Sequence, residues 1–271
     1  MKHLLIGLIA ALSLTTAAQA RSLDEVRSSG TLTVAIYNDF APFSDDAKGI
    51  DVDIARALGE KLGVKVSFLP FDADESMDDD LRNMVWKGTV LGYGPADMMM
   101  HVPTEAAFAN RNDKVAIFGT YFRDTLQIAR NLERLPELRD MAVLDKEPVG
   151  VEADSLGSMI LGSPYGGHRV ADLHHYVKLE EAFADLKAGK LSAVMALGSQ
   201  AEAAMGKESG FRVAMAPLPG RVPPGGWSFG LAVKSDYTQL ADALKQAMAT
   251  LESDGTLDRI FTAHGVKRLA P

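Results

Sequence analysis

Several groups of side chains in this sequence have types and spacings that could hold or process a small molecule. Asp39-Phe40-Ala41-Pro42-Phe43 sets two aromatic rings beside a carboxylate, and Trp227 follows the pair Gly225-Gly226. Rings of this kind make flat walls for a conjugated ligand. Core packing accounts for Phe40 and Phe43 equally well, and for Trp86 better. Asp154-Ser155-Leu156-Gly157-Ser158 reads as a helix start. Free backbone N–H groups there would receive an anion, while a plain helix cap at Asp154 or Ser155 explains the same residues. His101 follows an apolar run and could donate or accept a ligand hydrogen bond, or be a loop histidine without a role.

Other groups carry less chemistry than their composition suggests. His168, His174 and His175, with Asp172 among them, do not have zinc-ligand spacing. Met98, Met99 and Met100 would alternate between the faces of a strand, which makes them core rather than a copper site. The acidic run Asp72, Asp74, Glu75 and 78–80 lacks the glycine of a calcium loop. Gly92-Tyr93-Gly94-Pro95 has neither the third glycine nor the context of a dinucleotide fingerprint. There is no Gly-x-Ser-x-Gly elbow and no His-Glu-x-x-His. The absence of cysteine excludes disulfides and thiolate chemistry. No catalytic residue, metal or cofactor is expected. Glu105 and Glu152 are the bases an enzymatic reading would use, and the sequence pairs neither with a partner acid.

The elements that must position these residues are α/β in pattern. Met1-Lys2, an apolar run over 4–14 and Ala18-Gln19-Ala20 have the order of a secretory signal. A mature chain is expected from Arg21, exported and not embedded in a membrane. Removing Lys2 with the leader takes the formal charge from −8 to −9, which disfavours nucleic acid as a partner. Residues 31–37 alternate as a strand does. Ile50, Ile54, Leu58 and Leu62 make one helical stripe that ends at a C-cap glycine, Gly63. A strand follows over 64–69. Further expectations are a helix from 79 to about 87, strands over 96–102 and 126–129, and a short helix within 131–145. A second βα series starts at 149–151, with helices over 155–161, 179–188 and 200–205 and a strand at 193–196. The chain closes with a strand at 229–233 and helices over 239–253 and 256–264. Two βα series suggest two lobes.

Gly49-Ile50-Asp51-Val52-Asp53-Ile54 with Leu58, Gly59 and Leu62, and the C-terminal Asp254-Gly255-Thr256-Leu257-Asp258-Arg259-Ile260, resemble the bacterial extracellular solute-binding proteins of the amino-acid-receptor type, family 3. A narrower stretch, 80–88 and 94–103, resembles the MoxJ/XoxJ branch associated with quinoprotein dehydrogenases. The resemblance implies a two-lobed type II periplasmic binding protein fold with two interlobe crossings and a ligand cleft. With the leader at 1–20, lobe 1 would comprise 21–127 and 231–271, and lobe 2 would comprise 128–230. The crossings would lie near 127–130 and 227–231, which puts Trp227 at the second.

By the same resemblance, Asp39, Phe40, Phe43 and His101 would face ligand from lobe 1, with His101 just past a strand end. Asp154, Ser155 and Ser158 would face it from lobe 2. The arginine that grips an α-carboxylate in such receptors is replaced by Ala106, and the aspartate that holds the ammonium by Leu197. A lost partner in a buried charge pair costs about 2–5 kcal/mol, so a free α-amino acid is a poor ligand. Pyrroloquinoline quinone would suit aromatic walls, with Arg123, Arg221 and Lys87 as candidate partners for its carboxylates. The expected function is non-enzymatic and periplasmic: binding a PQQ-dependent alcohol dehydrogenase or its quinone. The alternative is the substrate-binding component of an ABC importer for another small solute, docking on a permease. A hydro-lyase on the same fold comes third.

Overall fold

The computed structural model describes residues 20–163, 169–218 and 225–270. The leader up to residue 19, His168 and Arg221 lie outside these. After helix α1 (Leu23–Ser29) the chain enters strand β1 (Thr31–Tyr37), passes a small hairpin of β2 (Asp39–Phe40) and β3 (Ser44–Asp45), and forms α2 (Ile50–Leu62) and β4 (Lys65–Phe71). The α2 stripe is buried as its period requires, with Ile50, Ile54 and Leu58 fully enclosed. Each such residue contributes about 1.5–3 kcal/mol through apolar burial. Gly63 ends the helix at φ +74°, donating its N–H to the carbonyls of Gly59 and Glu60.

Next come α3 (Met77–Leu81), β5 (Met98–Pro103), α4 (Ala106–Arg111) and β6 (Val115–Asp124). The helix expected over 79–87 is split: α3 gives way to a π-helical turn from Arg82 to Trp86. The Met84 carbonyl there accepts from Ala96 N–H, the backbone leading into β5, at 2.8 Å. β6 was not anticipated. Gly119 stands at φ +65° in its middle, and its register shifts there, interrupting the alternation that marks a strand.

β7 (Leu126–Asn131), β8 (Pro148–Glu152), α5 (Leu156–Gly162), β9 (Asp172–Tyr176), α6 (Leu179–Lys187), β10 (Ala193–Leu197), α7 (Gly198–Met205) and β11 (Phe211–Met215) follow. β12 (Trp227–Lys234), α8 (Thr238–Ser253) and α9 (Thr256–Ala263) complete the chain. Within 131–145 only a 3-10 turn forms, Met141–Leu144.

The strands make two five-stranded sheets, ordered β4-β1-β5-β12-β6 and β11-β7-β10-β8-β9. In the first, β1 runs parallel to β4 and β5, and β12 is antiparallel to β5 and β6. In the second, β8 is parallel to β9 and β10, and β7 is antiparallel to β10 and β11. Apolar layers cover both faces of the first sheet. Met98 and Met100 join the layer with α2, α8 and α9, and Met99 joins the layer with Leu81 and Val85. The chain passes from the first sheet to the second at Thr125, between β6 and β7, and returns between β11 and β12. Leu126 and Gln127 therefore belong to the second sheet, and Trp227 to Gly230 to the first, a few residues from the expected lobe limits.

Candidate functional site

Three cavities meet at Phe40. One of about 430 Å³ lies in the first lobe, walled by Tyr37, Phe40, Phe71, Met77, His101 and Phe229. One of about 390 Å³ lies between lobes, with Asp39, Phe40 and Pro42 opposite Glu152, Phe183 and Gln200. A third, of about 230 Å³, runs from Phe40 to Ser155, Met195 and Leu197. Phe40 is half-buried and lines all three. It is held by a T-shaped contact to Tyr37 at 5.9 Å and stacking on Phe43 at 5.4 Å.

His101 does not lie past a strand end. It sits inside β5, 3% exposed, with φ +59°, a backbone region uncommon for residues other than glycine. The left-handed residue turns the ring into the wall, stacked on Phe229 at 4.2 Å and edge-on to Phe40 at 4.8 Å. Its Nδ1 lies 3.2 Å from Asp51 Oδ2, and Tyr121 O–H donates to Asp51 Oδ1 at 2.6 Å. Burial and the Asp51 carboxylate raise the Tyr121 phenol well above its ordinary pKa, so it remains a donor. His101 Nε2 is buried with no hydrogen-bond partner among the described residues.

Phe43 is fully buried against Phe40, His101 and Phe122. It backs the wall rather than facing a ligand, because its ring fills the apolar layer over α9. Asp39 is exposed at the cavity rim. At the α5 start, where an anion site is expected, Ser155, Leu156 and Gly157 line the smallest cavity. Ser155 Oγ accepts from Ser158 N–H at 3.1 Å, which caps the helix, and donates to the Glu152 carbonyl. Asp154 is exposed at φ +57°. Trp227, in β12, pairs with Asp124 of β6 and packs against the core of the second lobe, at the hinge; it does not line these three cavities. Leu197 does line the smallest cavity.

Of the candidate cations, Lys87 is exposed after the π-helical turn and Arg123 lies in β6; neither lines these cavities. Among the described residues, Lys178 is the one lysine or arginine that does, and it shares its cavity with Asp39, Glu152 and Glu180. Burial, with Glu180 and Asp39 nearby, raises the Glu152 carboxyl above its ordinary range. The Glu105 carboxylate accepts from Ser228 N–H at 3.1 Å and serves the backbone. No group of three potential metal ligands occurs among the described residues. Tyr37, Phe71, Met77 and Phe229 escaped the sequence reading, being ordinary apolar strand and helix residues. The signal available for Asp51 was a carboxylate beside the apolar stripe of α2.

At the first crossing, Asp124 is nearly fully buried and accepts from Ser199 Oγ, from Ser199 N–H at 3.2 Å and from Thr125 N–H at 2.8 Å. A first-lobe carboxylate thus caps α7 of the second lobe. Burial raises its pKa, and these hydrogen bonds oppose the rise. The return crossing passes close by, for a Cβ on Gly226 would stand 1.8 Å from the Asp124 carbonyl.

Solved structures similar in fold to this chain are numerous. An ancestral cationic amino acid solute-binding protein matches with TM-score 0.71 at 21% identity, over 90% of this chain and 99% of its own. The chain has the two-lobed type II periplasmic binding protein fold. A polar amino acid ABC uptake transporter substrate-binding protein from Streptococcus thermophilus matches this fold with TM-score 0.67 at 16% identity, covering 92% and 90% of the two chains. An amino acid ABC transporter substrate-binding protein from Streptococcus pneumoniae, bound to L-arginine, matches at 0.62 and 20%, over 92% and 100%. In sequence, 79 residues are 38% identical to cyclohexadienyl dehydratase of Pseudomonas aeruginosa, 27% of this chain and 29% of that enzyme. No protein-family model matches the chain.

Proposed function

We propose that this protein is a periplasmic, non-enzymatic receptor for a small solute, closing its lobes around Phe40 and presenting the loaded form to an ABC permease. The observation that carries the reading is the convergence of three cavities on one aromatic residue, between lobes joined by two extended crossings. Such a junction is a hinge, and a ligand touching both lobes favours the closed form. The fold neighbours named as transporter substrate-binding proteins support the same reading. Titration calorimetry against a solute panel, with small-angle scattering, tests it. One micromolar ligand that shrinks the radius of gyration is expected. A panel with no ligand and no closure would refute it.

A second reading keeps the quinoprotein partnership, with the dehydrogenase rather than pyrroloquinoline quinone as the bound species. Between the two stretches that resemble that branch, Val90 and Leu91 stand almost wholly in solvent on a turn closed by Thr89 N–H to the Tyr93 carbonyl. Two apolar side chains displayed in this way fit a protein contact. Biolayer interferometry with a purified PQQ dehydrogenase should then show binding that Val90→Asp with Leu91→Asp abolishes.

A further inference from the structure

We infer that the ligand is a small organic ammonium cation bearing an N–H or O–H donor, an amine or amino alcohol, and that it needs no carboxylate. This rests on the receptor reading above and specifies its solute. The first-lobe cavity is an aromatic box of Tyr37, Phe40, Phe71 and Phe229, closed at one side by Met77. Ring faces attract cations through their quadrupole. The charged residues that line the box are both acidic, Asp39 and Asp72, and Glu152 and Glu180 line the adjoining cavity. Lys178 stands among the latter, and no arginine among the described residues lines any of the three cavities. A carboxylate ligand would enter an acidic space without a guanidinium to receive it.

His101 supplies the independent observation. Asp51 accepts at both carboxylate oxygens, one from Tyr121 and the other from the Nδ1 side of His101. That contact calls for a proton on Nδ1, and in the neutral ring Nε2 is then an acceptor. Nε2 is buried, unpartnered, and belongs to a ring on the cavity wall. A buried acceptor of this kind is satisfied by a ligand donor. The box, the acidic rim and the acceptor together describe a cation with at least one polar hydrogen.

The test compares solutes differing only by a carboxylate, using calorimetry on the mature full chain: agmatine against L-arginine, and 1,5-diaminopentane against L-lysine, with ethanolamine, choline, L-glutamine and succinate alongside. At least one amine is expected to bind at micromolar Kd, as tightly as its amino acid or more so, with glutamine and succinate at least 100-fold weaker. Asp39→Asn with Asp72→Asn, both exposed at the rim, should weaken the amine at least tenfold. His101→Phe should do the same while retaining the fold by circular dichroism; if it does not fold, the rim pair carries the test. L-Arginine or L-lysine binding more than tenfold tighter than its decarboxylated partner overturns the inference but leaves the receptor reading intact. So does glutamine or succinate as the tightest ligand. A panel in which nothing binds and the lobes do not close overturns both.

Discussion

His101, Asp51 and Tyr121 show how a strand residue becomes part of a site wall. The carboxylate of Asp51 is 1% exposed and satisfied by Tyr121 and His101. Removing one donor leaves a buried charge short of a partner, so Tyr121→Phe should cost about 1.5–3 kcal/mol. Urea unfolding followed by circular dichroism measures this, and an unchanged midpoint would mean that Asp51 does not depend on the phenol. Glu152 yields a prediction about pH. Its folded pKa is raised above the ordinary 4.5, so the folded chain holds this proton more tightly than the unfolded chain does. Stability from Glu152 is then lost as pH rises from about 4.5 through the raised value. Glu152→Gln removes that loss. The variant should gain on the wild type between pH 4.5 and neutrality in paired urea titrations, and a constant difference across that range would contradict the assignment.

The elements owe their ends to single residues. Gly63 terminates α2 at φ +74° with open space where a Cβ would stand, so Gly63→Ala brings conformational strain without a clash. Its expected cost is about 1–2 kcal/mol. Ser155 caps α5, and Ser155→Ala should cost about 1 kcal/mol. Thermal denaturation of each variant reads these effects. A loss at Ser155 well beyond the capping range would show that its donation to the Glu152 carbonyl also holds the cleft wall.

For the whole molecule, the two crossings decide how the lobes meet. Asp124, Ser199 and Thr125 tie the first crossing to α7, and Gly226 brings the return strand against the Asp124 carbonyl. Gly226→Ala combines a left-handed backbone with an overlap of main-chain atoms, so a loss of more than about 1 kcal/mol is expected. The strand must move to admit the methyl group, and the lobe separation should change with it. Comparison of scattering radii for variant and wild type, each with and without ligand, measures that change. Identical radii would place the flexing elsewhere.

The βα order, the α2 stripe with its glycine stop, and the two closing helices are legible in the sequence, because apolar period and cap chemistry act over a few residues. β6 is not, because Gly119 breaks its alternation, and the π-helical turn is not, because its Met84 carbonyl is engaged by Ala96 from the next segment. The candidates Phe40, Asp39 and Ser155 line the cavities, whereas Phe43 lies in the core. The box is invisible locally, since Tyr37, Phe71, Met77 and Phe229 are unremarkable where they stand and meet only through the pairing of distant strands. The same holds for His101, whose meaning comes from a carboxylate fifty residues earlier in the chain. Local patterning determined the elements, and burial and long-range pairing decided which side chains face the cavity, because those depend on sheet order rather than on neighbours in sequence.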